Sequence, residues 1–171
     1  MIKVDRSRQI FTLALPIMGG MVSQNILNLV DIFFVKSLGD VALAAAGIGG
    51  FANFVSVALI LGVSTGVQAT VARRMGEGEK SKLAIPLNTG LFIALVAGLI
   101  FASVLYFATP FLFPFLNNDP QVVVQGSSYL QVRMLGLVFI GLNFAFRGFW
   151  NGINQSKIYM STLIVMLSLI H

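Results

Sequence analysis

The stretch VALAAAGIGGFANFVSVALILGVSTGVQATVA, residues 41–72, contains no charged side chain. At about 1.5 Å per helical residue it is longer than the ~30 Å hydrocarbon core of a bilayer. It does not alternate apolar and polar residues as the strands of a membrane barrel do. It therefore reads as a membrane-spanning helix, and the pattern repeats outward from it. Upstream, Ile10 to Val35 carries one charge, Asp31. Downstream, Leu83 to Asn118 carries none, Gln121 to Arg147 encloses Arg133, and a last run extends from Ile158 to His171.

Composition agrees. Of 171 residues, 10% are charged and 57% hydrophobic, against about 25% and 45–50% in a typical soluble domain. The 11 basic and 6 acidic side chains cannot supply the surface of a globule. A soluble enzyme, a nucleic-acid-binding domain and a disordered tail are excluded, so no nucleic-acid partner is expected. The net charge of +5 comes from short basic clusters between apolar runs, which act as topology signals. The absence of cysteine excludes disulfides, thiolate metal sites and a cysteine nucleophile.

The expected fold is an all-α integral membrane protein, a polytopic helical bundle. About five transmembrane helices are expected, at approximately 10–35, 42–72, 86–109, 125–147 and 158–171, together forming one incomplete N-terminal bundle over 1–171. The last run would reach only about 21 Å, so the chain reads as a fragment whose missing helices are its partners. Pro86 suits a first helical turn. Pro110 and Pro114 are expected to end regular helix, with Phe111 to Leu116 along the interface. The first run continues too far past Gly19-Gly20 to be a cleaved signal.

Orientation follows from lysine and arginine. Lys3, Arg6, Arg8, Arg73, Arg74, Lys80, Lys82, Arg147 and Lys157 fall on one side, Lys36 and Arg133 towards the other. The positive-inside rule puts the N-terminus in the cytoplasm.

Asp31 is the only acidic side chain inside an expected span. A carboxylate at mid-membrane costs roughly 2.5–3.5 kcal/mol on insertion scales, so it normally faces an interior cavity and has a task. Where water is scarce it can take up and release a proton. Gln24 and Asn28 share its helix face, at spacings of four and three. The other reading is a hydrated interfacial aspartate, since Lys36 lies close beyond it. Pro16 in the same helix removes a backbone hydrogen bond and makes a kink or hinge. Gly62-Val63-Ser64-Thr65-Gly66 matches a hydrolase elbow in letters only, inside an apolar span, and fits small-residue helix packing better. Gly148 and Gly152 repeat that spacing. Arg133 and Arg147 either line a cavity or snorkel to the surfaces, snorkelling being favoured. No catalytic or metal constellation is found, so an enzyme is not expected.

Several short motifs stand in order. They are Ala14-Leu15-Pro16, Asn28-Leu29-Val30-Asp31, Leu38-Gly39-Asp40, Ala44-Ala45-Ala46-Gly47, Gly62-Val63-Ser64-Thr65, Gly76-Glu77-Gly78, Tyr129-Leu130, Arg147-Gly148 and Asn151-Gly152. Their succession resembles the multidrug and toxic compound extrusion (MATE) family, in its bacterial NorM and DinF branches. The resemblance implies a twelve-helix secondary transporter of two six-helix bundles in the bacterial inner membrane, exchanging small cationic or amphipathic organic compounds for H⁺ or Na⁺. That coupling ion is transported, and no cofactor is implied. By similarity Asp31 is the proton- or cation-coupling carboxylate, Pro16 the helix-1 hinge, and Gln24, Asn28 and Tyr129 line the substrate cavity. The family's helix-5 Asn and Asp, four residues apart, would fall after His171. Lys36-Ser37 departs from the usual glycine-containing pair, and no proline precedes the last run. The alternative is a lipid-linked oligosaccharide flippase of related fold.

Overall fold

The computed structural model describes residues 2–170. The side chains at 1–10, 12, 13, 16, 24, 27, 59 and 166–171 lie outside the described residues. The chain forms α1 (Ile2–Lys36), α2 (Asp40–Gly76), a 3-10 turn (Lys80–Lys82), α3 (Ala84–Leu116), α4 (Pro120–Leu135), α5 (Leu137–Gly152) and α6 (Ser156–Ile170). No strand occurs among the described residues. Three helical segments, Ile17–Lys36, Asp40–Gly76 and Lys80–Leu116, are long and apolar enough to cross a membrane.

The stretch read as one span at 125–147 is built of two helices. α4 and α5 have 16 residues each, about 24 Å apiece and too short to cross alone. They meet at Gly136 with a 45° bend, and only as a bent pair do they match the bilayer. The preceding turn is built by its polar residues. Asn117 Oδ1 accepts from the Asp119 N–H at 2.7 Å, Asp119 Oδ1 accepts from the Gln121 N–H at 2.9 Å, and Pro120 takes the first helical position. That is an N-cap followed by the residue whose missing donor costs nothing there.

Regular helix does not stop at Pro110. α3 runs through Pro110 and Pro114 to Leu116. Pro110 has no N–H for the carbonyl of Tyr106, four residues back. Gln131 Nε2 of α4 donates to that carbonyl at 3.2 Å instead. The vacancy created by the proline is thus filled from the neighbouring helix. Gln131→Leu is expected to cost about 0.6–1.7 kcal/mol, the usual range for a polar contact between membrane helices. Thermal unfolding in detergent measures it. In a Pro110→Ala background, where α3 supplies its own donor, the same change should cost close to nothing.

α2 is the centre of the bundle, packed against α3, α4 and α5, while α1 lies mainly on α6 and α2. Close approach comes from small residues. A Cβ at Gly148 would stand 2.3 Å from the backbone O of Ser64, and one at Gly152 would stand 2.8 Å from Val71. Gly62 and Gly66 meet nothing within 4 Å, so the packing face of α2 is the one carrying Ser64, Val67 and Val71. Apolar burial centres on Ile60, Phe113, Met134 and Leu137. Sharp reversals are set by Gly39 at φ 103° and Gly78 at φ 79°, values that side chains rarely adopt. The α2–α3 turn is charged and solvated. Arg73 pairs with Glu77 at 2.9 Å, Arg74 Nη1 donates to the Lys82 carbonyl at 2.6 Å, and Lys82 pairs with Glu79. The hydrogen bond from Lys82 holds the Glu79 carboxyl below the usual carboxylate range.

Candidate functional site

α1, α2, α4 and α5 enclose a cavity of about 420 Å³. From α1 it receives Asn28 and Asp31, one helical turn apart. α2 contributes Gly47, Gly50 and Asn53. α4 contributes Tyr129 and Arg133, and α5 closes the wall with Ile140 and Phe144. Asn28, Asp31 and Tyr129, singled out from the sequence, therefore share one space. Gln24 and Pro16 fall within α1, but their side chains lie outside the described residues.

The local sequence accounts for each position. Asn28 and Asp31 occupy one face because a spacing of three nearly completes a turn. Tyr129 and Arg133 are likewise four apart on α4. The Tyr129 ring comes close to α2 because position 49 is glycine. A Cβ there would stand 2.7 Å from Tyr129 Cδ1. Arg133 Nη2 stands 3.8 Å from Asp31 Oδ2, and its Cζ lies 5.2 Å from the centre of the Tyr129 ring. The Asp31 side chain is 62% exposed and that of Arg133 36%. Both thus reach an open cavity rather than a sealed core. Asn53 Oδ1 is buried and accepts no hydrogen bond, which leaves an acceptor free beside the charged pair.

Two of these features differ from the sequence reading. Arg133 does not snorkel to a surface but faces Asp31. Asn53 was passed over, although an amide in the middle of the uncharged 41–72 run was a signal of its own. Arg147 lies against aromatic rings, 5.9 Å from the centre of Phe144 and 6.0 Å from that of Tyr159, while Tyr159 Oη donates to Asn143 Oδ1 at 3.1 Å. Ser64, the serine of the hydrolase-like letters, is buried inside α2. A larger groove of about 590 Å³ runs between α2 and α3 past Gly66, Thr70, Arg74 and Gly90. It contains no carboxylate and no aromatic ring, so the charged cavity is the better candidate for chemistry.

A cavity lined by a carboxylate and a guanidinium among apolar helices is the setting in which ionisable side chains of membrane spans normally occur. The MatE family model matches residues 16–171, and the chain belongs to that family, whose members are transporters rather than enzymes. A probable multidrug resistance protein NorM of Agrobacterium fabrum is 27% identical over 155 residues, covering 91% of this chain and 33% of its own length. Protein DETOXIFICATION 51 of Arabidopsis thaliana is 27% identical over 128 residues, covering 74% of this chain and 24% of its own. An outward-facing multidrug resistance MATE family transporter of the MOP superfamily superposes with TM-score 0.85 at 27% identity, over 91% of this chain and 35% of that one. A MOP superfamily transporter from Pyrococcus furiosus, described as having a binding pocket of reverse polarity, gives TM-score 0.85 at 27% identity, over 91% and 34%. The chain spans about a third of the length of the curated relatives it matches.

Proposed function

We propose that this chain forms part of a multidrug efflux antiporter of the bacterial plasma membrane, with its N-terminus cytoplasmic, driven by H⁺ or Na⁺ and working by alternating access. The observation that carries this reading is the Asp31 carboxylate on the wall of a cavity inside the bundle. Asp31 is the coupling group. Asn28 and Tyr129 line the substrate cavity, and the family resemblance adds Gln24 to it and makes Pro16 the hinge of α1.

An amphipathic organic cation would find a carboxylate, an aromatic face, the free Asn53 oxygen and apolar walls from Phe54 and Phe144 in one space. A cation or proton arriving from outside occupies Asp31 and weakens the hold on the substrate. Its release inside resets the site. Linkage requires only that ion and substrate compete for one group or prefer different states. No cofactor takes part, because the ion gradient supplies the energy.

A lipid-linked saccharide flippase would need several basic side chains to hold a pyrophosphate. Among the described residues this cavity holds one guanidinium, and that faces a carboxylate. The test uses proteoliposomes of a MATE-length chain that carries this segment, loaded with ethidium under an imposed Na⁺ or H⁺ gradient. Gradient-dependent dye movement that collapses with an ionophore is expected. Movement of a lipid-linked saccharide without dye transport would replace this reading with the flippase.

A further inference from the structure

We propose that Arg133 is the resident counter-ion of Asp31, held in place by the ring of Tyr129, and that a coupling cation reaches the carboxylate only by displacing this guanidinium. The inference rests on the reading of Asp31 as the coupling group and adds the device that converts ion binding into drug expulsion.

In its one position the guanidinium touches two groups. The first is Asp31, at 3.8 Å. That separation is an ion pair but too long for a hydrogen bond, and the Asp31 carboxylate accepts no hydrogen bond among the described residues. Such a pair is readily opened. The second is the Tyr129 ring, with Cζ at 5.2 Å from its centre, inside the range of cation–π attraction. The ring cannot drift towards α2, because it already rests against Gly49. A planar, weakly hydrated guanidinium suits both a carboxylate and an aromatic face better than an ammonium does.

Charge bookkeeping gives the consequence. With Arg133 on Asp31 the pair is neutral, and an organic cation entering the cavity meets no net repulsion. Once Na⁺ or a proton occupies Asp31, the carboxylate is neutralised and the guanidinium is released. The cavity then carries one net positive charge and repels a cationic drug. Among the described residues no other charged group intervenes. The cavity residues of α2 and α5 are uncharged. On α1 and α2 the next charges, Lys36 and Asp40, are exposed and outside the cavity. On α6, which packs against α1, Tyr159 is turned to Asn143, and Lys157 is exposed.

The experiment titrates ethidium efflux against Na⁺ at fixed pH, and against pH without Na⁺. It uses proteoliposomes of a MATE-length chain carrying this segment. Arg133→Gln removes the competitor and is expected to lower the half-saturating Na⁺ concentration about tenfold, or, where H⁺ is the coupling ion, to change the pH dependence of efflux. Tyr129→Leu removes the ring that holds the guanidinium beside Asp31, loosens the pair and should shift the same quantity the same way, by less. Arg133→Lys keeps the charge and should restore most of the native value. A merely structural role predicts lower rates with unchanged ion dependence. If Arg133→Gln and Tyr129→Leu both leave the ion dependence unchanged while Asp31→Asn abolishes it, the counter-ion is overturned and the antiporter reading stands. If Asp31→Asn keeps its ion dependence, Asp31 is not the coupling group and both fall. Should Arg133→Gln not reach the membrane, Arg133→Lys and Tyr129→Leu decide, and an unshifted Tyr129→Leu overturns the proposal.

Discussion

Asp31→Asn, in a MATE-length chain, is expected to reduce gradient-driven dye efflux by about 5- to 150-fold, the span of a ~1–3 kcal/mol coupling energy. Asparagine has nearly the same shape and can still hydrogen-bond, so packing of α1 on α2 and α6 is preserved. What disappears is the capacity to change charge. Na⁺ loses its anionic ligand, a proton loses its acceptor, and Arg133 is left as a fixed positive charge in the cavity. Drug binding should weaken for cationic dyes and much less for uncharged ones. The membrane level and the melting temperature should stay near native, which separates lost coupling from lost folding. Efflux that survives intact would show that the carboxylate has no part in transport.

The second large effect lies in packing. Gly148→Val is expected to destabilise the bundle by at least about 1–3 kcal/mol, the usual cost of overfilling a close contact. The neighbours that a Cβ at 148 would meet are backbone atoms, the Ser64 carbonyl at 2.3 Å and the Gln68 nitrogen at 3.2 Å. No rotamer change can relieve such a clash, so α2 and α5 must move apart. Gly152 makes the next contact along the same line, and the separation would spread to it. Gly62→Ala is the comparison, because nothing stands within 4 Å of that position among the described residues. Thermal denaturation in detergent should show a clear drop for the first and almost none for the second.

The helical, membrane-crossing character was legible because uncharged runs of this length have few other solutions in lipid. The elbow at Gly136 was not. Leu135-Gly136-Leu137 is as apolar as its surroundings, no proline marks the bend, and the nearest charge, Arg133, reads as a residue within one span. Pro110 gave a clear stop signal, but the donor that overrides it, Gln131, sits on another helix. Local chemistry cannot foresee a partner that only tertiary packing supplies. At the candidate site, Asp31 and Asn28 stood out as polar side chains one turn apart in an apolar run. The pairing of Arg133 with Asp31 depends on how α4 lies beside α1, so the arginine was assigned to the surface.

The bend at Gly136 also bears on biogenesis. A nascent chain that has exposed only α4 offers the translocon about 24 Å of helix that already contains an arginine near its end. Such a segment has little reason to partition into lipid by itself. Commitment comes only as the more apolar α5 emerges and the two halves leave the channel as one hairpin-free unit. Insertion of this region is therefore governed by a pair of half-spans acting together, and the arginine is carried into the membrane by the segment that follows it.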